Sequence, residues 1–97
     1  MAIYVTSDAH GHVRALDEAL SKISLTSDDT LYVLGDMIDR GPDPVGVIKL
    51  VRSLPNTRVL KGNHEQIMLD AIIGQDPLDA ETWDINGGWT TREQLND

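Results

Sequence analysis

Ninety-seven residues, 40% of them hydrophobic, allow one small globular unit and leave no material for a second core. The absence of cysteine excludes disulfides and thiolate ligands, so any metal must be held by imidazole, carboxylate, amide or water. Sixteen acidic residues against eight basic ones give a formal charge of −8, which argues against sequence-independent contact with a phosphate backbone and so against nucleic acid as a partner.

The N-terminus carries no basic leader ahead of an apolar stretch, and no run approaches the roughly 20 apolar residues needed to span a bilayer. A cytoplasmic protein with no membrane partner is expected. Ile3 to Ser7 is a short β-branched and aromatic run that reads as a buried strand and ends at Asp8-Ala9-His10-Gly11. If the segment stays extended, residues i and i+2 point the same way, and Asp8 and His10 can both reach one cation. His12, just beyond, reads as a surface residue. Val13, Leu16, Ala19, Leu20 and Ile23 then recur at helical spacing, with Arg14, Asp17, Glu18 and Lys22 on the opposite face.

Thr30 to Gly35 predicts a second strand, leading into Gly35-Asp36-Met37-Ile38-Asp39-Arg40-Gly41. A helix follows Pro42, carried by Val45, Ile48 and Val51 and ended by Pro55. Thr57 to Leu60 is a weaker third strand, ending at Gly62-Asn63-His64-Glu65, where a helix begins with Ile67, Met68, Ala71 and Ile72 on one side and Gly74 near its end. The order is βαβαβα, which builds a parallel sheet with helices on its faces, and sheets of that class normally need both faces covered. Residues 74 to 79 read as a surface connection. Trp83 and Trp89 read as packing groups, Gly87-Gly88 as a turn, and Thr90 or Thr91 as a helix cap near Glu93.

Three motifs thus place Asp, His, Asp and Asn side chains at the carboxyl ends of parallel strands, where open α/β sheets gather ligands. Together they read as a metal site. In this order they resemble the calcineurin-like metallophosphoesterases, specifically the bacterial and phage serine/threonine protein phosphatases, and the segment Trp83 to Thr91 resembles one that follows the third motif in those relatives. The resemblance implies an α/β fold, the parallel βαβαβα half of a metallophosphoesterase β-sandwich with flanking helices. Residues 1–97 are then expected to form one partial, N-terminal domain. The chain reaches Asp97 without the Gly or Pro that would close a helix, and reads as cut there.

Roles follow from the resemblance residue by residue. Asp8, His10 and Asp36 would hold a first divalent cation; Asp36 and Asn63 would hold a second, incompletely, because further ligands of the family lie beyond this stretch. Manganese, iron or zinc is implied. Arg40 would fork onto phosphoryl oxygens, with Asn63 and His64 beside it in binding the substrate phosphate. His64, oriented by Asp39, would be the general acid that protonates the leaving oxygen after attack by metal-activated water. Ser7 departs from the usual Gly before the first Asp, and Lys61 from a usual Arg. Glu65 reads as an ordinary helix-initiating acid. The implied substrate is a phosphoserine or phosphothreonine protein or peptide. A bis(5'-nucleosyl)-tetraphosphatase is the alternative enzyme, disfavoured by Asp39 and Glu65. An inactive fragment that binds a metal or a partner is the other alternative. An uncovered apolar sheet face would drive self-association.

Overall fold

Each apolar run predicted as a strand pairs in parallel with the next. The computed structural model describes residues 1–74 and 76–96. Its elements are β1 (Ile3–Thr6), α1 (Val13–Ser21), β2 (Thr30–Val33), α2 (Pro44–Ser53), β3 (Thr57–Val59), α3 (Asn63–Ile73), α4 (Pro77–Ile85) and α5 (Trp89–Leu95). The sheet order is β1-β2-β3, with Ile3 opposite Thr30, Thr6 opposite Val33, Leu31 opposite Thr57 and Val33 opposite Val59.

Because the order steps in one direction, two right-handed crossovers put α1 and α2 on the same face. The core forms there. Leu31 and Val33 of the central strand meet Leu16 of α1 and Val47 and Val51 of α2, with Tyr4, Val13, Leu20, Leu50 and Leu54 around them. The opposite face is left uncovered. Ile3 and Val5 remain 62% and 61% exposed, and Leu34 and Leu60, just past the ends of β2 and β3, are exposed as well. β2 is the central strand, with Leu31 and Val33 buried; β1 and β3 are edges, and Ile3 and Val5 of β1 together with Leu34 and Leu60 carry the second apolar surface.

The helix boundaries follow local chemistry. Asp43 caps α2 by accepting the Gly46 amide at 2.9 Å, with Pro44 at the first helical position. The reading of residues 74 to 79 as a connection needs correction: Gln75 lies outside the described residues, but Asp76 caps and Pro77 opens α4, whose Asp79 sits in its first turn. In α3, Ile72 is largely exposed rather than on a core side. The packing of α3 on α4 and of α5 on α2 places the last helices beside the loops at the carboxyl ends of the strands. Gln94 of α5 secures that docking, donating to Asp43 Oδ1 and accepting the Val45 amide, both at 2.8 Å. Among the described residues no helix is long and apolar enough to cross a membrane.

Candidate functional site

Past Thr6 the first strand does not stay extended. Asp8 and His10 adopt left-handed backbone, at φ 59° and 42°, and the loop they form runs alongside the loop after β2. The His10 amide donates to the Asp36 carbonyl at 3.0 Å and the Gly11 amide to the Met37 carbonyl at 2.9 Å, so the two motif loops continue the strand pairing. Asp8 and His10 therefore converge through loop geometry, not through the alternation of an extended strand. Asp36, Asp39 and Arg40 are also left-handed, at φ 52°, 71° and 67°. Five of the six such non-glycine residues among those described lie in these two motifs, the sixth being Asn56. Each costs about 1–3 kcal/mol and persists only where its surroundings over-determine it.

Glycine makes the third loop fit. Gly35 sits at φ 93°, and a Cβ there would lie 2.2 Å from the amide nitrogen of Gly62. No side chain can be accommodated, so the second and third motifs touch backbone to backbone. Glu65 then ties them: its Oε1 accepts the amides of Asp36 at 2.6 Å and Gly62 at 2.8 Å, and its Oε2 accepts the amide of Met37 at 2.9 Å. The bond to Gly62 caps α3 from within its first turn. The other two hold Asp36 in place, a role that the reading of Glu65 as an ordinary helix-initiating acid missed.

One ligand atom from each of Asp8, His10 and Asp36 lies within 4.8 Å of the other two, a spacing suited to a shared cation. His10 is prepared for that role. Its Nδ1 lies 2.9 Å from the Ile38 carbonyl, which can only accept, so Nδ1 is the donor and Nε2 faces the cluster, 3.4 Å from Asp8 Oδ1. Ser7 donates its hydroxyl to Asp8 Oδ2 at 2.8 Å, which with the nearby His10 holds the Asp8 carboxyl below the usual carboxylate range. Asp36 Oδ1 accepts the His64 amide at 2.8 Å, linking the cluster to the first turn of α3.

His64 is buried beside this cluster, its ring centroid 4.5 Å from that of His10 with the rings 74° apart. Its Nδ1 is 2.8 Å from Oδ2 of Asp39, whose side chain is completely buried. The remaining Asp39 oxygen, Oδ1, accepts the Trp83 indole N–H at 3.0 Å and the Thr91 hydroxyl at 2.7 Å. Three donors thus compensate a carboxylate removed from water. Thr91 is consequently no helix cap; Gly88 stands at that position of α5, and the Thr91 hydroxyl also accepts the Asp39 amide at 2.9 Å. Trp83 does pack in the interior, as expected, but its N–H is committed to Asp39. Trp89 is half exposed.

The other site candidates are placed less tightly. Asn63 is the exposed first residue of α3, one position before His64. Arg40 is exposed and fixed through its backbone, its amide donating to the Gly87 carbonyl at 3.0 Å. His12 is exposed at the start of α1, and Lys61 is exposed with its ammonium donating to Gln66.

The profile of the calcineurin-like phosphoesterase family matches residues 1–97. Serine/threonine-protein phosphatase 1 of Salmonella typhimurium is 39% identical over 92 residues, covering 93% of this chain and 41% of that protein. The symmetrical bis(5'-nucleosyl)-tetraphosphatase of Pectobacterium atrosepticum is 37% identical over 76 residues, covering 76% of this chain and 27% of that protein. A crystal structure provisionally named a diadenosine tetraphosphatase superposes with a TM-score of 0.54 at 28% identity, covering 84% of this chain and 45% of that one. The chain therefore spans less than half the length of each of these relatives.

Proposed function

The chain belongs to the calcineurin-like phosphoesterase family, a family of metal-dependent hydrolases, and from that premise we propose that it carries the first metal-binding half of a phosphatase acting on phosphoserine or phosphothreonine in proteins. The observation that carries the reading is the contact between two arrangements: a three-ligand cluster of Asp8, His10 and Asp36, and a buried Asp39–His64 pair beside it.

The cluster fits a divalent cation, because the Nδ1 hydrogen bond to Ile38 turns Nε2 of His10 toward the cluster and both carboxylates lie within reach. Asp8, His10 and Asp36 would hold one ion, and Asp36 with Asn63 would contribute to a second, completed by groups outside these residues; manganese, iron or zinc suits such oxygen and imidazole donors. When bound, the ions supply the charge that polarises a phosphoryl group and activates the attacking water. His64 holds its Nδ1 proton on Asp39, so Nε2 is the atom that delivers a proton to the leaving oxygen, and the buried Asp39 carboxylate stabilises the charged imidazole. Arg40 would offer a planar fork for the remaining phosphoryl oxygens, and Asn63 and His64, at the start of α3, would contact the same phosphate.

A protein substrate is supported over a dinucleotide by the phosphatase-named relative, which matches 93% of the chain against 76% for the tetraphosphatase. The names of that second relative and of the structural neighbour favour the alternative. The experiment is a parallel assay of the protein, with manganese, on a phosphoserine peptide and on diadenosine tetraphosphate, beside His64→Asn and Arg40→Lys. Faster hydrolysis of the peptide, lost in His64→Asn and weakened about ten- to a hundredfold in Arg40→Lys by loss of one arm of a charged fork, is expected. Preference for the dinucleotide would overturn the substrate assignment. Manganese binding without hydrolysis of either compound would identify a binding module.

A further inference from the structure

The side chains of Trp83 and Thr91 are more than packing. Every group facing Oδ1 of Asp39 is a donor: an indole N–H can only donate, and the Thr91 hydroxyl, which already accepts the Asp39 amide, has its hydrogen left for the carboxylate. With Oδ1 held from two directions at 3.0 and 2.7 Å, the carboxylate cannot rotate about its terminal torsion, and Oδ2 stays 2.8 Å from Nδ1 of His64. The surrounding turn is built to deliver these groups. A Cβ on Gly88 would lie 2.1 Å from Cδ1 of Trp83, so the indole occupies space that only a glycine leaves, and the Gly88 amide donates to the Trp83 carbonyl at 2.8 Å. One residue earlier, the Gly87 carbonyl takes the Arg40 amide at 3.0 Å. Residues 83 to 91 therefore hold both Asp39 and Arg40 from a distance of more than 40 positions in sequence.

We infer that Trp83 and Thr91 are positioning residues, which fix the Asp39 carboxylate so that His64 is kept in the tautomer protonated at Nδ1. Their effect on turnover rests on the proposed role of His64; their effect on its tautomer does not. A filler tryptophan would be replaced by phenylalanine at the cost of a little volume, whereas a positioning tryptophan loses its donor with that change.

The test uses the protein with 15N-labelled histidine, without metal for the spectra and with manganese for kinetics. His64 is assigned by the resonances that His64→Gln removes. In the unsubstituted protein, long-range 1H–15N correlation is expected to show His64 protonated at Nδ1, with that proton at low field. Trp83→Phe and Thr91→Val are expected to weaken or remove the low-field signal and mix the tautomers. They should lower kcat about ten- to a hundredfold, the usual cost of losing an orienting outer partner, while KM and manganese affinity change less than about threefold. Thr91→Ser, which keeps the hydroxyl, should restore both readouts. If Thr91→Val does not fold, Trp83→Phe and Thr91→Ser carry the comparison. An unchanged His64 tautomer and unchanged kcat in folded Trp83→Phe would overturn the inference. A protein without hydrolytic activity whose His64 tautomer still depends on Trp83 would uphold the positioning role and remove the catalytic reading alone.

Discussion

Glu65 Oε1 accepts the backbone amide of Asp36 at 2.6 Å, across 29 residues and between two motifs. The same carboxylate takes the amides of Met37 and Gly62, so it is a three-point clasp joining the loop after β2 to the start of α3. Hydrogen bonds to a charged group contribute about 1.5–3 kcal/mol each, and a partly buried amide left without a partner adds its own desolvation cost. Glu65→Ala is expected to destabilise the protein by about 3 kcal/mol or more in urea titration and to weaken manganese binding, because Asp36 is no longer held. Glu65→Gln keeps one acceptor oxygen and should lose less. Equal stability of Glu65→Ala and the parent would refute the clasp.

Acid sensitivity should come from carboxylates that hold backbone. Asp29 accepts the Thr26 amide and the Ala2 amide, each at 2.9 Å, and these bonds lower its pKa. Asp43 is lowered by the Gln94 side chain and by the Gly46 amide. A carboxyl with a lowered folded-state pKa contributes stability that is fully present above its unfolded value, about 3.9, and is lost as pH falls through the folded value. Stability is therefore expected to be flat above about pH 5 and to fall below about pH 4. Asp29→Asn should be less stable than the parent at neutral pH, with the gap closing on acidification. A gap that stays constant down to acid would show that Asp29 acts through packing and not through its charge.

Much of this architecture is legible locally. Leu31 and Val33 announce a central strand by their run of β-branched and aromatic neighbours, and the spacing of Leu16 and Leu20 announces a helix over them. Helix α4 was readable too, since Asp76-Pro77 is a capping pair as much as a turn pair, but Trp83 is its one buried residue and leaves no periodic signal. The motif residues themselves stand out by type. What joins them does not: Asp39 meets Trp83 and Thr91 across 44 and 52 residues, and the left-handed backbone at Asp8 and His10 is imposed by a neighbouring loop. Long-range hydrogen bonds have no period in sequence, and an acid at the third position of a helix looks the same whether it caps its own helix or clasps a second loop.

The open side of the sheet predicts association. Ile3, Val5, Leu34 and Leu60 are each more than 40% exposed, and contiguous apolar surface of this kind is rarely left to water. The 97-residue chain is expected to show a weight-average mass that rises with concentration in sedimentation equilibrium, and Val5→Lys combined with Leu60→Lys should return it to a monomer. A folded monomer at tens of micromolar, a working concentration of about that order, would show that this face does not bind a second copy.

Asp36→Asn separates the two duties of that residue. The amide oxygen can still accept the His64 N–H that Asp36 Oδ1 accepts at 2.8 Å, so the start of α3 keeps its support while the cluster loses one negative charge. Without metal, Asp8 and Asp36 repel each other across the cluster, and the variant is expected to melt no lower than the parent. With manganese the order should reverse. A cation present at a hundred times its Kd stabilises the folded state by about 2.7 kcal/mol, and a tenfold weaker Kd reduces that to about 1.4 kcal/mol, so the metal-induced rise in Tm should be roughly halved or less. His12→Asn is the control, because His12 is exposed outside the cluster and should leave the rise intact. A rise that depends on His12 and ignores Asp36 would move the metal away from the strand ends altogether.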